Sequence, residues 1–332
     1  MQNTIKSYLE ALSVHDCQTF LNLQCFPITS DSESAVDYLT LDEAMQQYAI
    51  AISEVDVSGT VPELKVTNKS GRKVIILDGE ELVGAKQNRI VNTTILIAEN
   101  STCIIPVSCV EQGRWSYYES REFSSKSRTM PSYMRAKKAQ QVHRALRREG
   151  KHTSDQREIW DDIHAFSSRM QAYSSSGEMG AIFEKKKAEI KQYADNFSIL
   201  PNQVGALFAI NGKIAGLDCF GKRNTLQKVF QKLVESYALD AIDQYQPGTP
   251  LNVSQANDVE LFIDSLKNGN LEFHDAVSLG TDTRITAEGT NGFALVFENS
   301  VLHLAAFSEE RADINNYGRM SRFSSRRRNR GF

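Results

Sequence analysis

Residues 78–115, DGEELVGAKQNRIVNTTILIAENSTCIIPVSCVEQGRW, set the densest run of polar side chains in the chain between apolar segments. Val74, Ile75, Ile76 and Leu77 lead into it as a buried strand that turns at Asp78-Gly79. Residues 90–98 form a second such run, and Asn100-Ser101 turns it into a third at 103–110. Short apolar runs joined by turn residues predict an antiparallel meander. Side chains two apart on a strand share a face, so Cys103, Ile105, Val107, Cys109 and Glu111 should align unless Pro106 bends the strand or places it at an edge. Polar groups wedged between core strands must either be paired or await a ligand.

On the amino-terminal side, Ile5, Leu9 and Leu12 have helical spacing, residues 20–28 are apolar without a clear period, and Thr40 can cap a short helix over 41–48. Asp42 and Glu43 then have an ordinary role in its first turn. Ile52, Val55, Leu64 and Val66 continue the strand pattern up to the central stretch. On the carboxyl-terminal side, residues 121–132 are rich in Ser, Arg and Lys and read as an exposed linker. Helices are expected over 131–149, 156–173 and 179–197, the last two separated by SSSGEMG. Residues 206–220 and 294–307 then repeat one pattern, a hairpin turning at Asn211-Gly212 and at Asn299-Ser300, which duplication and shared hairpin chemistry explain equally well. Amphipathic helices are expected at 225–242 and 257–267.

The expected fold class is α+β: a strand meander and two β-hairpins packed with helices, with a helical insertion. The chain divides into an amino-terminal extension (1–40), the strand-rich signature region (41–120), the insertion (121–198), an α+β region completing the core (199–308) and an arginine-rich mobile tail (309–332).

With 332 residues, 41% hydrophobic and 24% charged, the composition is that of a soluble globular protein. A net charge of -3 gives no overall pull toward nucleic acid or anionic membrane, and no run approaches the roughly 18 apolar residues of a membrane span. The amino end lacks the apolar core of a secretory signal. Five scattered cysteines (Cys17, Cys25, Cys103, Cys109, Cys219) favour reduced thiols and a cytoplasmic protein.

Within the central stretch, Lys86 and Arg89 suit a phosphate or carboxylate, Arg89 through its planar fork, while Gln87 and Asn88 offer donors and acceptors to a base edge or ribose. Glu80, Glu81 and Glu111 suit a divalent cation or a general base. The alternative is that Glu80 or Glu81 pairs with Lys86 or Arg89 inside the sheet and needs no ligand. Cys109 beside Glu111 is a candidate nucleophile, although no histidine lies in the stretch and His303 would have to be brought in by the fold; a buried structural cysteine is the plainer expectation. No CxxC or HExxH spacing points to a metal, and no residue pattern names a cofactor. Trp115, Tyr117 and Tyr118 either stack on a nucleobase or close the core. Asp218, with Lys222 and Arg223 before the helix at 225, is a second polar group, for anion binding or for a capped helix start. The basic helix (Arg135, Lys137, Lys138, Arg144, Arg147, Arg148) and the tail beyond Arg311 offer a nucleic-acid alternative.

At LDGEELVGAKQNRIVNTTILI, IPVSCVEQGRW and LDCFGKRNTLQKVFQKLVESYALDA the chain resembles the ARPP domain family, named for its association with ADP-ribosylglycohydrolases and rhodanese-like phosphatases. The likeness runs from about residue 41 to 307. It implies a role in handling ADP-ribose or related NAD-derived nucleotides and carries over no settled catalytic set. The positions matching the signatures are Glu80, Glu81, Lys86, Gln87, Asn88, Arg89, Cys109, Glu111, Arg114 and Trp115. The expectation is therefore a nucleotide-like ligand, with Lys86 and Arg89 on its phosphates, Glu80 and Glu111 serving a metal or water, and Trp115 flanking the base or ribose; a non-enzymatic assembly protein is the alternative.

Overall fold

A computed structural model describes residues 1–56, 58–117 and 122–309. Its largest element is a nine-stranded antiparallel sheet in the order Leu12–Val14, Leu23–Ser30, Gln203–Ile210, Lys213–Phe220, Ser300–Ser308, Thr290–Phe297, Thr281–Ala287, Asn270–Asp275, with Gln18–Phe20 also paired to Leu23–Ser30. Strand Gln203–Ile210 is buried along its whole length because helices cover both faces. Ala206, Phe208 and Ile210 face the long helix Arg223–Gln244, where Tyr237 stacks on Phe208 at 4.1 Å between ring centroids. Leu207 and Ala209 face helices Gln2–Glu10 and Ala256–Lys267. The period-two alternation is thus satisfied twice, once by each helical layer.

Both hairpins form. The first turns at Asn211-Gly212 with φ of 51° and 70°; the second turns at Glu298-Asn299, φ 47° and 57°, one residue earlier than expected. Two positive φ values in succession match the right-handed twist of the flanking strands.

The central stretch divides between two smaller sheets. Lys73–Ile76 lies between Ile95–Ile97, antiparallel, and Tyr38–Thr40, parallel. The other sheet orders Phe123–Thr129, Glu80–Gly84, Arg89–Val91, Ser101–Cys109, Glu63–Asn68 and Ile50–Glu54. The run expected as one strand over 90–98 is two, broken at Asn92-Thr93-Thr94. Their side chains bond elsewhere, Asn92 to the His152 carbonyl, Thr93 to Asp282 and Thr94 to His303, and this draws the backbone off the ladder. Pro106 sits where Ser101–Cys109 passes from one neighbour to the other, a position at which a missing N–H does least harm.

The segment expected as a linker over 121–132 instead supplies strand Phe123–Thr129, paired with Glu80–Gly84. Ser125 and Ser127 both donate to Asp42, so the polarity that suggested solvent is used internally. Helices Ser132–Glu149, Gln156–Met170, Gly180–Lys185 and Lys187–Ala194 follow, and pack Ile159, Ile163, Phe166 and Ile182 against Ile90 and Val110 of the signature region. The helix forms over 41–46 with Thr40 as its cap, as expected, and Glu43 bonds back to Thr40 to complete a capping box. Among the described residues no helix is long and apolar enough to cross a membrane. The arginine tail after Arg311 and Tyr118 lie outside the described residues.

Candidate functional site

Strands Glu80–Gly84 and Arg89–Val91 pair antiparallel, with Leu82 opposite Arg89, and the four residues Ala85 to Asn88 turn between them. The turn depends on Gly84, whose φ is +134° and whose missing Cβ would stand 2.7 Å from the Glu122 carbonyl oxygen. On the other side Arg89 is the cross-strand partner of Cys109, and Val110 N–H donates to the Asn88 carbonyl. The sheet therefore delivers the QNR turn against the CVE strand end.

Gln87 joins the two. Its Nε2 donates to the Glu111 carbonyl at 3.0 Å, and its Oε1 accepts from Arg89 Nη1 and from the Cys109 thiol, each at 3.2 Å. Asn88 N–H donates to Glu111 Oε2 at 3.0 Å, while Asn88 Oδ1 accepts from Arg114 Nη2 at 3.1 Å. Arg114 also donates to Glu111 Oε2 at 2.6 Å and to the Ala85 carbonyl at 2.6 Å. Asn88, Glu111 and Arg114 are thus largely satisfied by one another. Burial works against the Glu111 charge, but Arg114, Ser176 and the Asn88 N–H together hold its carboxyl below the usual range. Burial pushes the Cys109 thiol up despite Arg89, Trp160 and the Glu111 N–H nearby.

Lys86 and Arg89 strap down the loop that follows strand Ile50–Glu54. Lys86 Nζ donates to the Ser58 carbonyl, and Arg89 Nε to the Val61 carbonyl at 3.2 Å. Trp115, 46% exposed, covers both cations, its ring 5.1 Å from Lys86 Nζ and 5.8 Å from the Arg89 guanidinium carbon. Beneath this ring Arg89 is 0% exposed, and its Nη2 has no hydrogen-bond partner among the described residues.

A second group of carboxylates adjoins the turn. Glu178, from the SSSGEMG segment, bridges to Glu111 through the backbone and accepts from Asn88 Nδ2 at 3.3 Å. Glu81 is fully buried, and among the described residues neither of its oxygens has a hydrogen-bond partner; Arg128 stands at 3.8 Å. Burial, reinforced by Glu178 and Glu111 and opposed by Arg128, pushes the Glu81 carboxyl up to about 7.

Of the residues expected to form a site, the fold gathers Lys86, Gln87, Asn88, Arg89, Cys109, Glu111, Arg114 and Trp115. It places Glu80 and Asp218 elsewhere. Glu80 is held by Lys232 of the long helix and by the Leu77 N–H at 2.7 Å. Asp218 lies in the interior with both oxygens on Arg135, at 2.7 and 3.0 Å, and with the Tyr237 hydroxyl at 3.1 Å. His303 is there too, its Nε2 3.2 Å from Asp218 and its Nδ1 2.7 Å from Thr94 Oγ1, and so is drawn away from Cys109. The basic helix is not a uniform cationic surface: Arg135 and Lys138 are buried on Asp78 and Asp218, Lys137 meets Asp162 and Arg147 meets Glu272. Among the described residues no group of three or more His, Cys, Asp or Glu is arranged to hold a metal ion. Glu54, Arg128 and Glu178 are the neighbours that sequence reasoning missed; each arrives from a distant segment without a local signal.

The model of the ARG and Rhodanese-Phosphatase-superfamily-associated Protein domain matches residues 11–307. The chain belongs to this family. The match takes in the turn, the CVE strand end and all three sheets, so the gathered side chains belong to the ARPP-1 domain itself. No curated protein and no solved structure matches the chain.

Proposed function

We propose that this ARPP-1 protein binds an ADP-ribose-like or other NAD-derived nucleotide at the corner made by Lys86, Arg89 and Trp115. The observation that carries the reading is the buried Arg89 guanidinium, whose Nη2 group is unpaired among the described residues beneath an exposed indole. A buried cation with an unused donor is costly unless an anion takes it. A phosphate oxygen suits Nη2, the Nε and Nη1 donors being engaged on Val61 and Gln87, and Lys86, which spends one of three donors on Ser58, can supply another charge-assisted bond. Trp115 offers a face on which a base or ribose packs. The family's association with ADP-ribosylglycohydrolases supports the same ligand class. The high-lying Cys109 thiol and the Arg114-paired Glu111 favour binding over covalent chemistry.

Calorimetric titration with ADP-ribose, NAD and ADP tests the reading. Wild type should give a heat that Arg89→Ala abolishes and that Trp115→Ala, an exposed change, weakens about tenfold or more. No heat with any of the three overturns it. The mutual satisfaction of Asn88, Glu111 and Arg114 favours a second reading, an assembly protein in which the signature is an internal brace. On that reading no nucleotide binds, and Arg114→Ala lowers the melting temperature without any ligand.

A further inference from the structure

We propose that Glu54 is a specificity-determining residue of this corner, accepting a hydroxyl of a pentose ring whose phosphate lies on Arg89; this rests on the nucleotide-binding reading above. Glu54 ends strand Ile50–Glu54 and is 5% exposed. Its Oε1 accepts from the Lys86 backbone N–H at 3.3 Å, while its Oε2 is buried and has no partner among the described residues. The corner therefore holds one orphaned acceptor, Glu54 Oε2, and one orphaned donor, Arg89 Nη2. Their charges act on each other, since Glu54 favours the charged form of Arg89, yet the two atoms do not bond.

Gly59 packs closely against the acceptor. Its φ is +72°, and a Cβ there would stand 3.1 Å from Glu54 Oε2 and 3.3 Å from Lys86 Cδ. The two orphaned groups select opposite chemistry. A carboxylate oxygen takes an O–H and repels a phosphate, whereas a guanidinium takes the phosphate. A ligand that satisfies both carries a hydroxyl a short distance from an anionic group, as a ribose phosphate does. Inorganic phosphate keeps an O–H of its own near neutral pH, whereas sulfate carries none, so sulfate can serve only Arg89 and leaves Glu54 unsatisfied. Sites built around a buried hydrogen-bonding group discriminate strongly against ligands that leave it unpaired.

The experiment measures the affinity of ribose 5-phosphate and of sulfate for the full chain, wild type and Glu54→Gln, with ADP-ribose as the reference ligand. Wild type should prefer ribose 5-phosphate over sulfate by at least about tenfold. Glu54→Gln should lose most of that preference by weakening ribose 5-phosphate binding, with sulfate bound as well as before or better because a like charge has gone. Retained sulfate binding shows that the variant is folded. Should Glu54→Gln fail to fold, Gly59→Ala, whose methyl group meets Oε2, decides by the same ratio. If wild type binds ADP-ribose and the ribose 5-phosphate-to-sulfate ratio is unchanged in the variant, this inference falls and the nucleotide reading stands. If wild type binds none of the three ligands, both fall.

Discussion

Replacing Glu81 by glutamine should stabilise the protein at alkaline pH and leave it nearly unchanged in acid. Among the described residues Glu81 is fully buried with no hydrogen bond to either oxygen, two carboxylates nearby and the Arg128 guanidinium 3.8 Å away. Its carboxyl titrates at about 7 in the fold against an ordinary value of 4.5. Between those limits the folded state binds the proton more tightly than the unfolded chain, so stability falls as pH rises through the interval. The contribution is fully present below pH 4.5 and gone above about 7. It amounts to about 3 kcal/mol, a sizeable share of the 5–15 kcal/mol typical of a folded protein. Glutamine keeps the shape and is neutral throughout, so the variant should match wild type near pH 4.5 and exceed it by about 3 kcal/mol at pH 8. With a urea slope of about 3 kcal/mol/M for a chain of this size, the unfolding midpoint should rise by about 1 M at pH 8 and hardly at all in acid. Titrating groups remote from Glu81 cancel in the comparison. A midpoint difference that is the same at both pH values, or a variant weaker than wild type at pH 8, would refute the reasoning.

Asp218→Ala should cost about 3 to 5 kcal/mol by urea denaturation, because it removes the carboxylate on both Nη groups of the buried Arg135 and leaves that cation only Asp78, which Lys138 shares. Lys232→Met should cost a similar amount at pH 7, since it leaves Glu80 and Asp42 without their cation; much of that loss should disappear at pH 4, where Glu80 can be protonated. Iodoacetamide at pH 7.5 should label the exposed Cys17 in the native protein and reach Cys109 and Cys219 only in urea, as followed by peptide mass spectrometry. Rapid native labelling of Cys109 would contradict its burial.

Local chemistry made much of this architecture readable. Asn211-Gly212 announces a hairpin because both residues accept positive φ, Thr40 and Glu43 announce a helix start, and the apolar spacing between Thr225 and Ile242 announces the long helix. The clustering of Lys86 to Arg89 with Cys109 to Trp115 was legible for a similar reason: the two runs lie at the ends of strands joined by short turns. What was hidden depended on partners far along the chain. Glu80 looks like a candidate base until Lys232, 152 residues later, is seen to hold it. Asn92, Thr93 and Thr94 resemble strand residues until His152, Asp282 and His303 claim their side chains. The Ser-rich segment before Thr129 reads as solvent-facing because nothing nearby reveals that Asp42 accepts its hydroxyls.

Strand Leu23–Ser30 finds its main neighbour in Gln203–Ile210. On a ribosome adding about 5–20 residues per second, the earlier strand waits roughly 10 to 35 seconds for the later one to be made. Throughout that delay a greasy ribbon with open edges stands bare, and only the short flanking strands can shield it. Birth of this protein is therefore a matter of timing: this early ribbon gains its lasting neighbour only once Ile210 has been made, and the nascent chain needs sheltering until then.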